Sequence, residues 1–231
     1  MTKRKPLLAF LVLFPCFLFS QQPRPNFSTD GFSHNYFEHL KREFGQHKQY
    51  PPQYEKQILI TLSYYPELKQ VSINFRIRHR HTPLTTRSSW GGLLKGRQKR
   101  DYVITISDST EQMLTPILYQ NLPFNAQMGV IGHELGHVVD FSSMVTRRIL
   151  AHGAKNISSK YVDRFEFRTD SICIAHGLGY QLLAWSSYVR KAMHKENWDG
   201  ADNVHRPMTR ERYMNPSTIK KRINRSPLYR V

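Results

Sequence analysis

Apolar residues recur at helical spacing in several parts of the chain. In residues 33–46, Tyr36, Phe37, Leu40 and Phe44 fall on one side of a helix and charged residues on the other. Further helices are predicted over about 126–141, 158–176 and 180–194, and a short one after Asn215. The second half of the chain is therefore predicted to be largely helical.

Three other segments have the pattern of β-strands. Residues 58–64 and 71–78 show period-two alternation, and the short connection Pro66–Gln70 predicts that they form an antiparallel hairpin. Residues 102–107 are rich in β-branched side chains and form a third strand, while 81–100 are predicted to be a long surface loop. The fold class is therefore α+β, with a small antiparallel or mixed sheet of about three or more strands before the helical half.

The predicted helix over 126–141 contains the sequence His-Glu-Leu-Gly-His. On a helix, His133 and His137 lie one turn apart on one face, where both imidazoles can bind one metal ion. Glu134 lies about 100° around the helix, where it can reach a water on that metal without being a ligand. The apolar side of the helix lies opposite and consists of Met128, Ile131, Leu135, Val138 and Val139. This arrangement favours a catalytic zinc site.

Three glycines follow the same helix in a strip beside the histidines. Gly129, Gly132 and Gly136 each cost about 1 kcal/mol of helix propensity relative to alanine. Such a cost is accepted where close packing requires a small residue. Our hypothesis is that another backbone crosses this strip closely and brings the missing metal ligands to the site.

A catalytic zinc normally has three protein ligands and one open position, so a third ligand is needed. Asp140 is one alternative, although its place on the same helix directs it poorly toward the ion. Glu166 and Asp170 are another, because their i, i+4 spacing places both carboxylates on one face of the next helix. A solvated acidic face would also explain this pair, but the apolar residues around it favour a buried helix. The metzincin pattern is excluded because Asp140 and Ser143 stand where it requires glycine and histidine.

Together, the two motifs resemble the gluzincins, the thermolysin-like clan of zinc metallopeptidases, and the chain is similar to a small secreted member. The resemblance covers about residues 126–176. It implies a zincin-like fold in which Glu166 is the third zinc ligand and Asp170 hydrogen-bonds His133. The 28 residues between His137 and Glu166 are more than thermolysin has, and the whole chain is much smaller.

The resemblance also implies an edge strand that aligns the substrate and a donor that stabilises the oxyanion. We assign residues 102–107 to the edge strand. The donor stays open among His152, His176, Tyr161, Tyr180, Tyr188, His205 and Tyr213.

The N-terminus has the layout of a secretory signal peptide. Basic residues at 3–5 precede an apolar run over 7–19, which is short for a membrane span, so we predict a cleavable signal at 1–20. A retained anchor is the alternative. The mature chain would contain one cysteine, Cys173, and therefore no intramolecular disulfide.

The remaining residues, 21–231, are predicted to form one domain. Within it, 21–142 would hold the sheet and the active-site helix, and 143–231 a helical subdomain with the third ligand. The sequence shows no internal repeat.

The formal net charge of +17 would favour nucleic acid as the partner of a cytosolic protein. The basic clusters at 76–81, 95–100 and 220–225 lack the interleaved aromatic residues of a single-strand groove, so no nucleic-acid partner is predicted. In an exported protein, such patches favour acidic polymers, an anionic envelope surface or acidic peptides as partners, although a simple solvated surface explains them as well.

These features together predict an exported, periplasmic or extracellular zinc peptidase acting on peptides or proteins. One Zn²⁺ would be bound by His133, His137 and Glu166, with Asp170 supporting the site and Glu134 activating the attacking water. The alternative is a non-catalytic envelope protein of zincin-like fold that binds anionic polymers or a protein partner. Glu134 argues against it, because a structural zinc site needs no base and normally has a fourth protein ligand.

Overall fold

The computed structural model describes residues 21–28, 30–89, 99–145, 149, 151, 158–201 and 211–230. The predicted signal peptide, part of the 81–100 loop, and two oxyanion candidates, His152 and His205, lie outside these residues. Within the described part of the chain, no helix is both long enough and apolar enough to cross a membrane.

The protein combines a small mixed sheet with α-helices, so the α+β class is confirmed. The helices are α1 His34–Phe44, α2 Glu55–Leu62, α3 Phe124–Ser143, α4 Ser159–Ala175, α5 Gly179–Ala192 and α6 Pro216–Arg225. The strands are β1 Lys48–Gln49, β2 Ser72–Ile77, β3 Leu84–Ser88 and β4 Asp101–Ile106. Of the predicted elements, the helices at α1, α3, α4, α5 and α6 and the strands at β2 and β4 are confirmed.

The four strands form one sheet in the order β1-β2-β4-β3. β1 and β4 both run parallel to β2, whereas β3 runs antiparallel to β4. α3 lies at the centre of the molecule, where it packs against α2, α4, α5 and β3. Buried side chains from the sheet and from both halves of the chain join one hydrophobic core.

The prediction of a strand at 58–64 is wrong, because this segment forms α2. Every residue from Ile58 to Leu62 is buried, so the helix lacks the one-sided apolar pattern that marks a surface helix. The buried Thr61 hydroxyl needs no hydrogen bond to water, because it donates to the Gln57 carbonyl at 2.6 Å. The predicted hairpin is therefore absent, and β2 pairs in parallel with β4 instead.

The assignments of the surface loop and the edge strand are also wrong. β3 lies inside the predicted loop over 81–100 and forms one edge of the sheet, while β4 is a central strand. Nearly all of β4 is buried, as expected for a strand covered on both faces. β3 has only one large apolar residue, Leu84, and short polar strands of this kind are common at sheet edges.

The hypothesis that another backbone crosses the glycine strip closely is confirmed at two of its three positions. A Cβ on Gly129 would lie 2.1 Å from the carbonyl oxygen of Gln181 in α5. A Cβ on Gly136 would lie 3.2 Å from the carbonyl oxygen of Thr169 in α4, whereas Gly132 faces side chains. The backbones of both later helices therefore approach α3 closely, and α4 is the helix that carries Glu166 and Asp170.

Replacing Gly129 with alanine should destabilise the protein, although alanine is the better helix former. The added methyl group overlaps the α5 backbone, so we expect a loss of about 2–3 kcal/mol in the free energy of unfolding. Gly31→Ala is the control, because its Cβ would meet no atom closer than 3.5 Å. Urea unfolding measures the free energy of unfolding of both variants. Equal unfolding midpoints for the two variants would contradict the close packing at Gly129.

Candidate metal centre and active site

Three potential ligands converge where α4 crosses α3. The Glu166 Oε2 atom lies 3.0 Å from His133 Nε2 and 3.2 Å from His137 Nε2. The ligand atoms of the three residues all lie within 4.8 Å of one another. Among the described residues, no other group of three His, Cys, Asp or Glu is arranged in this way. The structure thus brings together the three residues predicted as metal ligands.

The Nδ1 atom of each imidazole, which is not the atom that faces Glu166, has a hydrogen-bond partner on α4. His133 Nδ1 lies 2.8 Å from Asp170 Oδ1, and His137 Nδ1 lies 3.2 Å from the Thr169 hydroxyl oxygen. The Thr169 hydroxyl donates its own proton to the Phe165 carbonyl, so toward His137 it acts as an acceptor. Both Nδ1 atoms therefore carry a proton, so the lone pairs of both Nε2 atoms are available to a metal ion placed between them and Glu166.

The electrostatics at this point favour a cation. Burial lowers the pKa of His133, but hydrogen bonds and charges from Asp170 and Glu166 outweigh it and raise that pKa well above 6.5. Burial raises the pKa of Glu166, yet the charge of His137 and hydrogen bonds to His133 and His137 lower it overall. These directions mean that the pocket stabilises positive charge between the three side chains, whether from a proton or from a metal ion.

The donor set fits zinc. Two neutral Nε2 atoms and one carboxylate oxygen are three acceptors facing a common point, an arrangement that is unfavourable unless a cation lies between them. Tetrahedral ligands about 2.0–2.1 Å from Zn²⁺ stand roughly 3.3 Å apart, close to the 3.0 and 3.2 Å contacts of Glu166 with the histidines. Two histidines and one glutamate also form a known catalytic zinc set that leaves one position open.

Glu134 lies beside this centre and is held by the edge strand. The hydroxyl of Thr86 on β3 donates to Glu134 Oε2 at 2.6 Å. Glu134 does not belong to the three-donor group, although it follows His133 directly in the sequence. Its carboxylate and the donors all border the same cavity, so it can receive a proton from a water bound there.

The cavity has a volume of about 580 Å³ and lies between β3, α3, α4 and α5. Its polar lining includes His133, His137, Glu134 and Glu166, together with polar residues of β3. Most of its remaining walls are apolar and include Ile117, Leu122, Val130, Phe141, Val162, Trp185, Val189 and Trp198. A concave, mostly apolar cleft with a few convergent polar groups is typical of a binding site.

Tyr213 is the oxyanion candidate that the structure places at this site. It borders the cavity, and its ring centre lies 5.6 Å from that of His133. Burial, followed by the charges of Glu166 and Glu134, raises the pKa of Tyr213 well above 10, so the phenol keeps its proton and can donate.

The other described candidates have different surroundings. His176 contacts Glu67 and the Ile172 carbonyl, and the Tyr188 hydroxyl donates to the Asn121 carbonyl. The rings of Tyr161 and Tyr180 pack against neighbouring aromatic residues. None of these four borders the cavity.

The backbone around Tyr213 is fixed by contacts that the sequence analysis missed. Met214 N donates to Asp170 Oδ2 at 2.7 Å, so one carboxylate holds both His133 and the segment that carries Tyr213. The buried Arg190 guanidinium donates to the Tyr213 carbonyl and to Asn215 Oδ1. Asn215 precedes α6 as predicted, but its side chain makes no capping bond to the helix. No sequence spacing links these residues, because they meet only through tertiary packing.

Asp140, the alternative third ligand, lies elsewhere. It is buried, and its Oδ1 forms an ion pair with Arg168 at 2.7 Å. It does not belong to the cluster with the two histidines.

Comparisons of the chain with models of protein families, with curated proteins and with solved structures found no match. The functional conclusion therefore depends on the geometry of the site itself.

Replacing Glu166 with glutamine should abolish tight zinc binding. The neutral amide keeps the shape of the side chain but removes the anionic donor, so we expect affinity to fall by more than the 10–100-fold typical of outer-sphere changes. Competition with a chromogenic chelator measures the zinc affinity of the wild type and of the variant. Glu111→Gln makes the same chemical change at an exposed acid and should leave affinity unchanged. Unaltered zinc binding in Glu166→Gln would contradict the proposed ligand set.

Proposed function

We propose that this protein is an exported, zinc-dependent peptidase with a zincin-like site. The observation that carries the proposal is a potential base, Glu134, held at the wall of a cavity beside three convergent acceptors. A site that used zinc only for stability would have no need of this carboxylate or of the adjoining cavity. Export and the gluzincin relationship rest on the sequence alone.

Zn²⁺ bound by the three donors would act as a Lewis acid that polarises the scissile carbonyl and makes water nucleophilic at neutral pH. Glu134 accepts a proton from the attacking water and then returns it to the leaving amine. The Thr86 hydrogen bond occupies one carboxylate oxygen of Glu134 and orients the other for this transfer. Asp170 and Thr169 keep the two imidazoles in the tautomers that metal binding requires.

Tyr213 acts as the electrophilic donor in this mechanism. Its neutral phenol donates a hydrogen bond to the negative oxygen that forms when the scissile carbonyl is attacked. The interaction strengthens as charge develops on that oxygen, so Tyr213 stabilises the transition state more than the bound substrate. Asp170 and Arg190 hold the peptide group that joins Tyr213 to Met214 and thereby fix the position of Tyr213.

The experiment that tests the proposal measures zinc content and peptide-library cleavage for the wild type and for Glu134→Gln. We expect the variant to keep stoichiometric zinc and to lose at least about 100-fold in kcat/KM, because it lacks the base. Glu111→Gln should behave like the wild type. Cleavage at the wild-type rate by Glu134→Gln would overturn the role of Glu134, and zinc-loaded protein that cleaves nothing would favour the non-catalytic alternative.

Replacing Tyr213 with phenylalanine should reduce kcat with little change in KM. Loss of one oxyanion donor typically costs about 100–1,000-fold in rate, whereas ground-state binding needs no such donor. Tyr188→Phe removes a hydroxyl that bonds backbone carbonyls and serves as the control. Equal kcat values for these two variants and the wild type would contradict the assignment of Tyr213.

A further inference from the structure

An arginine patch lies on one face of the sheet and reaches the cleft. It consists of Arg76 on β2, Arg78 and Arg80 just after it, and Arg87 on β3. Cross-strand pairing places Arg76 opposite Thr105, which in turn pairs with Thr85 on β3. The Arg76 Nε atom lies 3.4 Å from the Thr105 hydroxyl, so the side chain extends across β4 toward β3.

The positive charge of this arginine patch is not neutralised internally. Within the described part of the chain, none of its four guanidinium groups forms an ion pair with an aspartate or glutamate. The neighbouring acid Glu111 pairs with His81 instead, and Asp108 accepts from Ser109. Burial, followed by repulsion from Arg78, Arg87 and Arg80, lowers the pKa of Arg76, as expected for crowded like charges.

The arginine patch is continuous with the cleft through β3. Thr86 points to Glu134, so strand alternation directs Thr85 and Arg87 to the other face of the sheet, while all three residues border the cavity along the strand edge. β3 is an edge strand, with its second side unpaired among the described residues, and it borders the cavity along its whole length. A peptide extended along this edge would place alternate side chains in the cavity and beside Arg87.

We propose that the substrate is an acidic peptide whose outward-facing carboxylates dock on the arginine patch while its other side chains enter the cavity. This inference rests on the proposed peptidase function. Four unpaired arginines would attract such a substrate at long range and favour it over a neutral peptide, with an effect that weakens as salt rises. The guanidinium group also suits this role, because it binds carboxylates in a bidentate manner.

The test compares a peptide carrying glutamate at alternate positions with the same peptide carrying glutamine. For the wild type, we expect kcat/KM to be about tenfold higher for the acidic peptide in low salt, with the ratio approaching one at 1 M salt. In Arg76→Gln/Arg87→Gln, the low-salt ratio should also approach one. Arg78→Gln/Arg80→Gln is a second patch variant with exposed side chains, so it should fold normally and its low-salt ratio should also fall. Arg42→Gln/Arg225→Gln removes two exposed charges elsewhere and should keep the wild-type ratio.

Binding to Glu134→Gln, measured by fluorescence anisotropy with the same labelled peptides, separates this inference from the peptidase function. Cleavage with no acidic preference would overturn the inference and leave the peptidase function standing. Patch-dependent binding of the acidic peptide without any cleavage by the wild type would support the docking surface and refute the peptidase. An oligonucleotide of equal length that competes at the same concentration would overturn the assignment of a peptide.

Discussion

The site depends on the buried carboxylate of Asp170. One of its oxygens accepts from His133 and the other from the backbone of Met214, so it connects α4, α3 and the segment that carries Tyr213. A buried carboxylate is stable only when both oxygens have partners, and here each partner is a part of the site. Loss of this single group would free the tautomer of His133 and the position of Tyr213 together.

Close helix packing makes that connection possible. Gly129 and Gly136 let the backbones of α5 and α4 approach α3 at distances that a side chain would prevent. The approach at Gly136 sets Thr169 beside His137 and, one turn away along α4, Glu166 between the two histidines. The glycines thus lower the helix propensity of α3 at the positions where close packing arranges the polar groups of the site. Such local conflicts with sequence preference are common at functional sites.

The residues with a fixed spacing could be predicted from the sequence, because the helical repeat determines which side chains share a face. The repeat places Glu166 and Asp170 on one face of α4, whereas their connection to the histidine motif comes from the resemblance to the gluzincins. Thr86 and Tyr213 could not be found in this way, since they reach the site through sheet pairing and through loop packing. The strand prediction at α2 is wrong for a related reason, because the buried turns over 58–62 are covered on all sides and lose the periodicity that identifies a helix.

The proposed mechanism requires that His133, His137 and Glu166 bind one zinc ion and leave one coordination position open. X-ray absorption at the zinc edge of the purified protein tests it most directly. We expect one zinc per chain, with two imidazole nitrogens and oxygen ligands at about 2.0–2.2 Å and no sulfur. A sulfur ligand, a site closed by four protein ligands, or the same spectrum in the Glu166→Gln variant would contradict it.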